Sequence, residues 1–166
     1  MPDATWNLIL PAVANLMRQV EGLPEPFVRK AGVLLEEADF KKVYGQGPEF
    51  LKDWTLWYVC PGGEEVPVEY TFVGASGTGT NQVHWEYPVW VLAVRPHNRD
   101  FTLPANWLRL REQIRGILDQ RGLPGAPTVI DAELKPFAPF SHTDEKTVYD
   151  ISGVAVSYMS WETRTQ

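Results

Sequence analysis

The sequence has few of the residues on which metal, redox and covalent chemistry depend. Its 166 residues include a single cysteine, Cys60, which excludes an internal disulfide and any cluster of cysteine ligands. The three histidines, His84, His97 and His142, show neither i, i+4 spacing nor an acidic residue at metal-ligand spacing. We therefore expect surface histidines, no metal and no other cofactor, unless a site is assembled only in three dimensions.

Long apolar runs are also missing. Runs such as Leu8–Leu10 and Val89–Val94 are much shorter than the roughly 20 residues that cross a bilayer. The N-terminal stretch MPDATWNLIL carries an acid where a secretory signal has basic residues, and Pro11 interrupts it. These features predict a protein that has no membrane partner and is made in the cytoplasm.

Positive charge is scarce, because 15 Lys and Arg face 21 Asp and Glu, for a formal net charge of -6. Tight binding to nucleic acid depends on Lys and Arg that release counterions from the phosphate backbone, so nucleic acid is not expected as a specific partner. The same charge suits a surface past which nucleic acid slides without sticking, since like charges repel.

Aromatic residues, by contrast, are abundant: seven Trp, seven Phe and six Tyr. We expect some Trp side chains near the surface, because Trp and Tyr are enriched at protein interfaces; the alternative is a Trp-rich core. The hydrophobic fraction (44%) and the charged fraction (22%) are ordinary for a globular protein. Together with the length, they predict one domain, 1–166.

Apolar periodicity predicts two main helices. The first starts at Asp3 or Thr5 and ends near Gly22, with a kink or break at Pro11 because proline removes a backbone donor. The second covers about 105–121, with an apolar stripe on one side and a glycine directly after its end.

Strand patterns account for most of the remaining chain. The stretch 28–43 fits both a strand and a helix, and we favour a strand with a polar tail over 33–43. The other predicted strands are Trp54–Val59, Val66–Val73 as its hairpin partner, a central strand Val83–Arg95, Thr128–Leu134 and, after a loop with Pro136 and Pro139, Val148–Trp161. This order indicates an α+β fold: a single, mostly antiparallel (mixed) sheet with a long hairpin, packed by two main helices.

The segment 74–82, GASGTGTNQ, has only small and polar side chains and is predicted to be the flexible tip of the long hairpin. It lacks the lysine and the following helix of a phosphate-binding loop, so nucleotide binding is not expected. Within the tip, the residues proposed to order on contact with a partner are Gly74, Ser76, Gly77, Thr78 and Gly79. Plain flexibility is the alternative.

Signatures of catalysis are not found. No nucleophile elbow and no local Cys-His motif occurs. The paired acids Glu36–Glu37 and Glu64–Glu65 are interpreted as surface charges, because adjacent carboxylates on a strand point to opposite sides. We expect no catalytic residues and a protein that is not an enzyme.

Two further groups are candidate interface residues: Trp85 and Tyr87 beside the hairpin tip, and Arg109, Arg111 and Arg115 on the second helix. In an acidic protein, an arginine patch favours head-to-tail contact with an acidic face of a neighbouring copy. The alternative is a solvated helix face on which the arginines pair locally with Glu112 and Asp119.

The order of elements resembles that of the tail terminator and related head-to-tail completion proteins of long-tailed bacteriophages. The resemblance is one of layout, without a signature motif, and it covers most of the chain. Its elements are an N-terminal helix like Trp6–Val20, a strand like Val33–Asp39, a hairpin with a long mobile tip, a central strand like Tyr87–Arg95, an arginine-bearing helix like Trp107–Gln120 and a last strand like Tyr149–Trp161. A departure is the Trp-rich hairpin from Trp54 to Trp85, which is larger than a minimal subunit requires.

The resemblance implies a structural virion protein that forms a homo-hexameric ring, caps the tail tube and joins it to the head connector. Its partners would be other copies of itself, tail tube proteins and head-connector proteins, and DNA would pass through the ring only as cargo. Two alternatives stay open. One is another tail tube, neck or baseplate component, and the other is a small cellular ligand-binding domain or enzyme.

Overall fold

A computed structural model describes residues 2–30, 35–51, 53–73, 80–97, 105–144 and 147–164. The described helices are α1 (Pro2–Met17), α2 (Glu37–Tyr44) and α3 (Ala105–Leu118), with a short 3-10 helix at Pro48–Phe50. The described strands are β1 (Phe27–Val28), β2 (Leu56–Pro61), β3 (Val66–Val73), β4 (Thr80–Pro96), β5 (Val129–Lys135), β6 (Phe140–Asp144) and β7 (Thr147–Arg164). All seven strands belong to one mixed sheet, which confirms the predicted α+β class.

The centre of the sheet is the antiparallel pair of β4 and β7. The pairing runs from Asn81 opposite Arg164 to Pro96 opposite Tyr149. From Val89 to Val94 the side chains are apolar or aromatic on both faces, as a strand covered from two sides requires. The predicted central strand, Val83–Arg95, is therefore confirmed.

The outer strands lie in line with one another along this central pair. Going along β4 from its start, first β3 (Val73 opposite Thr80) and then β2 (Leu56 opposite Val94) pair with it, both antiparallel to it. The expectation that Val66–Val73 is the hairpin partner of Trp54–Val59 is therefore wrong, because both segments use β4 as their partner. On the other side, β5 and β6 pair in line with β7 in the same manner.

The fold thus contains two long hairpins, each with a broken outer arm. The first hairpin (56–96) has β2 and β3 as its outer arm, and the second hairpin (129–164) has β5 and β6. We call the breaks in these arms the first interruption (62–65) and the second interruption (136–139). A helix precedes each hairpin in the chain, α1 before the first and α3 before the second. The same arrangement occurs twice although the sequence shows no repeat.

The helices α1 and α3 cover one face of the sheet, the helix face. The helix α1 lies over β1 and β2, and α3 lies over β5 and β7. Trp107 of α3 stacks on Trp57 of β2 with ring centroids 5.1 Å apart. The predicted apolar stripes of both helices are buried, and each large apolar side chain removed from water contributes about 1.5–3 kcal/mol. These two helices are the predicted main helices.

The helix α1 is continuous through Pro11, so the predicted break does not occur. Pro11 lies on the exposed side of the helix, and water there can bond the backbone carbonyl that the missing N–H leaves free. The helix ends at Met17, and turns lead from there to Gly22, which adopts a positive φ of 84°.

The strand favoured over 33–43 is wrong for residues 37–43, which the structure describes. Residues 37–44 form the helix α2, the strand β1 ends at Val28, and residues 31–34 lie outside the described part. A buried carboxylate explains the helix. Asp39 of α2 accepts hydrogen bonds from Tyr58 Oη at 2.9 Å and from Arg29 Nη2 at 2.6 Å, and Phe40 beside it is buried. The burial, together with the Asp39 carboxylate, raises the pKa of Tyr58.

The strand β6 was also missed, because its sequence was assigned to a polar loop. Residues 140–144 pair with β7 from Phe140 opposite Ile151 to Asp144 opposite Thr147. Its polar side chains are largely exposed, so the strand is specified by its long partner and not by an apolar pattern of its own.

Candidate assembly surfaces

The tip of the first hairpin carries half of the predicted interface residues. Gly74, Ser76, Gly77, Thr78 and Gly79 lie outside the described residues. The flexible tip was predicted for 74–82, but residues 80–82 belong to β4 and are paired on both sides, with β3 and with β7. The tip is therefore shorter than predicted.

Trp85 and Tyr87 follow the tip on β4 and point to the helix face. Tyr87 is fully buried, packs edge-on against Trp6 at 5.0 Å between ring centroids, and donates a hydrogen bond to Glu162. Burial, and then the Glu162 carboxylate, raises the pKa of the Tyr87 hydroxyl. Its assignment to a docking surface is thus corrected, because no part of it is accessible. Trp85 is half-buried and packs against the same core.

The tryptophans as a whole divide between core and surface. Four are buried, and three are half-buried: Trp85, Trp90 and Trp161. The surplus of tryptophan is therefore used mainly in the core, which was the alternative interpretation, with a smaller number at the surface.

The arginines of α3 flank its buried stripe. Arg109 is exposed, whereas Arg111 and Arg115 are half-buried and lie one helical turn apart on the same side. The Nε atom of Arg111 is inaccessible to solvent and has no hydrogen-bond acceptor. Among the described side chains, no ion pair joins Arg111 or Arg115 to Glu112, Asp119 or another carboxylate. The alternative of local pairing is therefore not what the structure shows.

An acidic pocket lies at the first interruption, between α1 and the start of β3. It has a volume of about 340 Å³ and is lined by Asp3, Trp6, Asn7, Leu10, Lys30, Pro61, Gly63, Glu64 and Glu65. Trp6 Nε1 donates a hydrogen bond to Glu65 Oε2 at 2.8 Å, which fixes one carboxylate at the wall. Asp3 and Glu64 are exposed. From the sequence, Glu64 and Glu65 are interpreted as surface charges. The pocket could not be predicted, because only the fold brings α1 next to these two residues.

An aromatic cluster on the opposite face of the sheet forms at the second interruption. Trp90, which is half-buried, contacts Phe137 edge-on at 5.5 Å between ring centroids and lies 6.4 Å from the Phe140 ring. Phe140 is 42% exposed. The indole of Trp90 also covers Gly62, where an added Cβ would lie 2.6 Å from the ring. The signal in the sequence was Phe137 between Pro136 and Pro139, in a segment that was interpreted as a loop.

A cluster of polar side chains lies where β4 ends and near the starts of β6 and β7. His97 Nδ1 lies 2.7 Å from Asp150 Oδ1, and Ser141 Oγ donates to the same oxygen at 2.9 Å. The serine thus contacts the carboxylate and not the imidazole, which is not the order in which a base activates a nucleophile. The adjacent pocket, beside Arg95, has a volume of about 280 Å³, which is at the lower limit for small-molecule sites of roughly 300–1,000 Å³.

Cys60 is buried near the end of β2, and its burial raises the pKa of the thiol to about 11. In the described part of the chain, no three His, Cys, Asp or Glu side chains are grouped to hold a metal ion. None of the described helices is both long and apolar enough to cross a membrane.

No protein-family model and no curated protein matches the sequence. What the chain does is therefore inferred from its own surfaces.

Proposed function

We propose that this chain is a structural subunit of a bacteriophage virion, a tail-terminator-like protein. In this proposal it forms a homo-hexameric ring in the tail or neck, caps the tail tube and joins it to the head connector. The observation that supports the proposal most is the side of α3 with Arg111 and Arg115, which form no ion pair with a described residue, together with an acidic pocket beside α1. A surface that is complementary to a different part of the same molecule favours head-to-tail rings.

The open edges of the sheet support the same arrangement. Within the described residues, β1 and β3 lie at the edge on one side of the sheet and β5 and β6 on the other. Edge strands are templates for pairing with another chain. The strands alternate in direction from β3 through β4 and β7 to β5, so β3 and β5 run in opposite directions. A neighbour in the same orientation would therefore meet β5 with an antiparallel β3.

Charge supports a role in which DNA is only passing cargo. The chain carries a formal net charge of -6, so a ring of several copies carries a strongly negative field. Such a lumen would not retain the phosphate backbone, because retention depends on lysine and arginine contacts.

The first experiment is negative-stain electron microscopy of the purified protein at high concentration, with light scattering to fix its mass. We expect rings with a central hole and a mass about six times the 18.8 kDa of one chain. Open tubes with long inter-subunit strand pairing would instead favour a tail tube component. A particle with the mass of one chain at every concentration would contradict the ring.

The tip of the first hairpin is part of the proposed contact surface, with Trp85 at its base. A variant that lacks residues 76–80 tests this role. Loss of rings, with an unchanged circular dichroism spectrum, is the expected result. Rings of unchanged size in this variant would exclude the tip from the contact.

A further inference from the structure

The half-buried arginines of α3 lack the partners that such groups normally have. Buried guanidinium donors are nearly always paired, because an unpaired buried polar group loses its hydration without compensation. Arg111 places its Nε out of contact with water and without an acceptor, although the chain has 21 acidic residues. Neither Glu112, its neighbour on the helix, nor Asp119 forms an ion pair with it. Arg111 and Arg115 therefore carry positive charge that no carboxylate of the described residues neutralises, and their half-exposed side chains are open to carboxylates of a second molecule.

The acidic pocket at the first interruption offers the complementary chemistry. Its three carboxylates, from Asp3, Glu64 and Glu65, outnumber its single lysine, Lys30. Trp6 and Leu10 supply apolar surface. An arginine side chain needs both features, since its stem packs on apolar surface while its planar head binds carboxylate. Asp3 and Glu64 form no ion pair with any described residue, so both remain available to an added cation.

The two groups lie on the same face of the sheet but on opposite flanks. The arginines belong to α3, which covers β5 and β7, whereas the pocket lies at the start of α1, which covers β1 and β2. In a head-to-tail row of copies, the α3 flank of one molecule would adjoin the α1 flank of the next.

We infer that the pocket formed by Asp3, Trp6, Glu64 and Glu65 receives the side of α3 that carries Arg111 and Arg115 from a second copy of this chain. The inference rests on the proposed ring and deepens it by naming the two contacting surfaces. Because the surfaces differ, each copy uses one as donor and the other as acceptor, and association continues until the ring closes.

Charge reversal on each side separately is the test. The donor variant is Arg111→Glu with Arg115→Glu, and the acceptor variant is Asp3→Lys with Glu64→Lys. Like charges placed opposite each other oppose association, so each variant alone should associate at least roughly tenfold more weakly than the wild type in sedimentation experiments. Glu49→Lys, on an exposed residue of the 3-10 helix, is the matched control and should associate like the wild type.

A mixture of the two variants provides the decisive measurement. The unaltered arginines of the acceptor variant fit the unaltered pocket of the donor variant, and the reversed surfaces also fit each other. An equimolar mixture should therefore recover association to near the wild-type level, with the two chains alternating in the assembly. A purely structural role of these residues would not give recovery on mixing.

The outcomes separate the two proposals. Rings formed equally well by wild type and by both variants would overturn the inferred contact and leave the ring in place. Short open oligomers that respond to charge reversal and recover on mixing would support the contact and contradict the hexameric ring. A wild-type protein that stays monomeric, with no complex in the variant mixture, would overturn both.

Discussion

The two hairpins share a topology but differ in the four residues that interrupt each outer arm. The first interruption reads Gly-Gly-Glu-Glu and leaves acidic side chains beside α1 on the helix face. The second reads Pro-Phe-Ala-Pro and sends Phe137 onto Trp90 on the opposite face. The difference teaches that the long strands supply the framework, while short breaks in the edge strands determine which chemistry each surface presents.

Both interruptions lie against the same side chain, Trp90. Trp90 covers Gly62 of the first interruption and contacts Phe137 of the second, so a single indole links the two hairpins on the face without α1 and α3. Substitutions around this indole therefore test how far the two breaks depend on each other.

The largest effect is expected at Gly153, on β7 opposite the second interruption. A Cβ added there would lie 2.2 Å from the backbone oxygen of Val91, so β4 and β7 would have to move apart. We expect Gly153→Ala to lower the free energy of unfolding by about 3 kcal/mol in urea denaturation. Gly116→Ala on α3 is the control: its added Cβ meets nothing within 4 Å, so about 0.5–1 kcal/mol of stabilisation is expected. Equal effects of the two changes would contradict the close approach.

A smaller loss is expected at Phe137, which anchors the second interruption to Trp90. Phe137→Ala should destabilise the protein by about 2 kcal/mol, because the ring is half-buried and its removal exposes the indole. Phe50→Ala provides the comparison, since Phe50 is 70% exposed and its loss should change the unfolding free energy by no more than about 0.5 kcal/mol. A neutral Phe137→Ala would show that the second interruption is not held by this contact.

The smallest effect is expected at the first interruption, where two adjacent glycines differ in their surroundings. At Gly62 an added Cβ would press on the Trp90 ring at 2.6 Å, whereas at Gly63 the nearest atom, Cγ of Pro88, is 3.6 Å away. Gly62→Ala should therefore destabilise by about 1 kcal/mol, and Gly63→Ala by less than about 0.5 kcal/mol. Quenching of tryptophan fluorescence should change in the first variant only. The reverse order of stabilities would argue against Trp90 as the link.

The elements with strong local signals were predictable from the sequence. The helix α3 and the centre of β4 carry apolar patterns that leave one interpretation, and both were confirmed. The helix α2 was not, since its buried Asp39 is explained only by Arg29 and Tyr58, which lie elsewhere in the chain. Likewise β6 becomes a strand because β7 is long enough to pair with it.

The candidate surfaces were less predictable than the fold. The arginines could be placed on one helix from their spacing, but the lack of an ion pair at Arg111 and Arg115 depends on where the fold places the acidic side chains. Tyr87 was misplaced because its burial comes from Trp6 of α1, which is 81 positions earlier in the chain. The acidic pocket and the aromatic cluster are each formed by segments distant in sequence. A local sequence pattern does not predict such contacts.

The dependence of β4 on β7 also has a consequence during synthesis of the chain. Pro96 completes β4, but its partner strand ends only at Arg164, about 68 residues later, which takes roughly 3 to 14 s at the usual rates of translation. Throughout that interval the backbone N–H and C=O groups of β4 that β7 will pair with are open to strands of other nascent chains. Slower initiation or a bound chaperone should therefore raise the yield of folded protein.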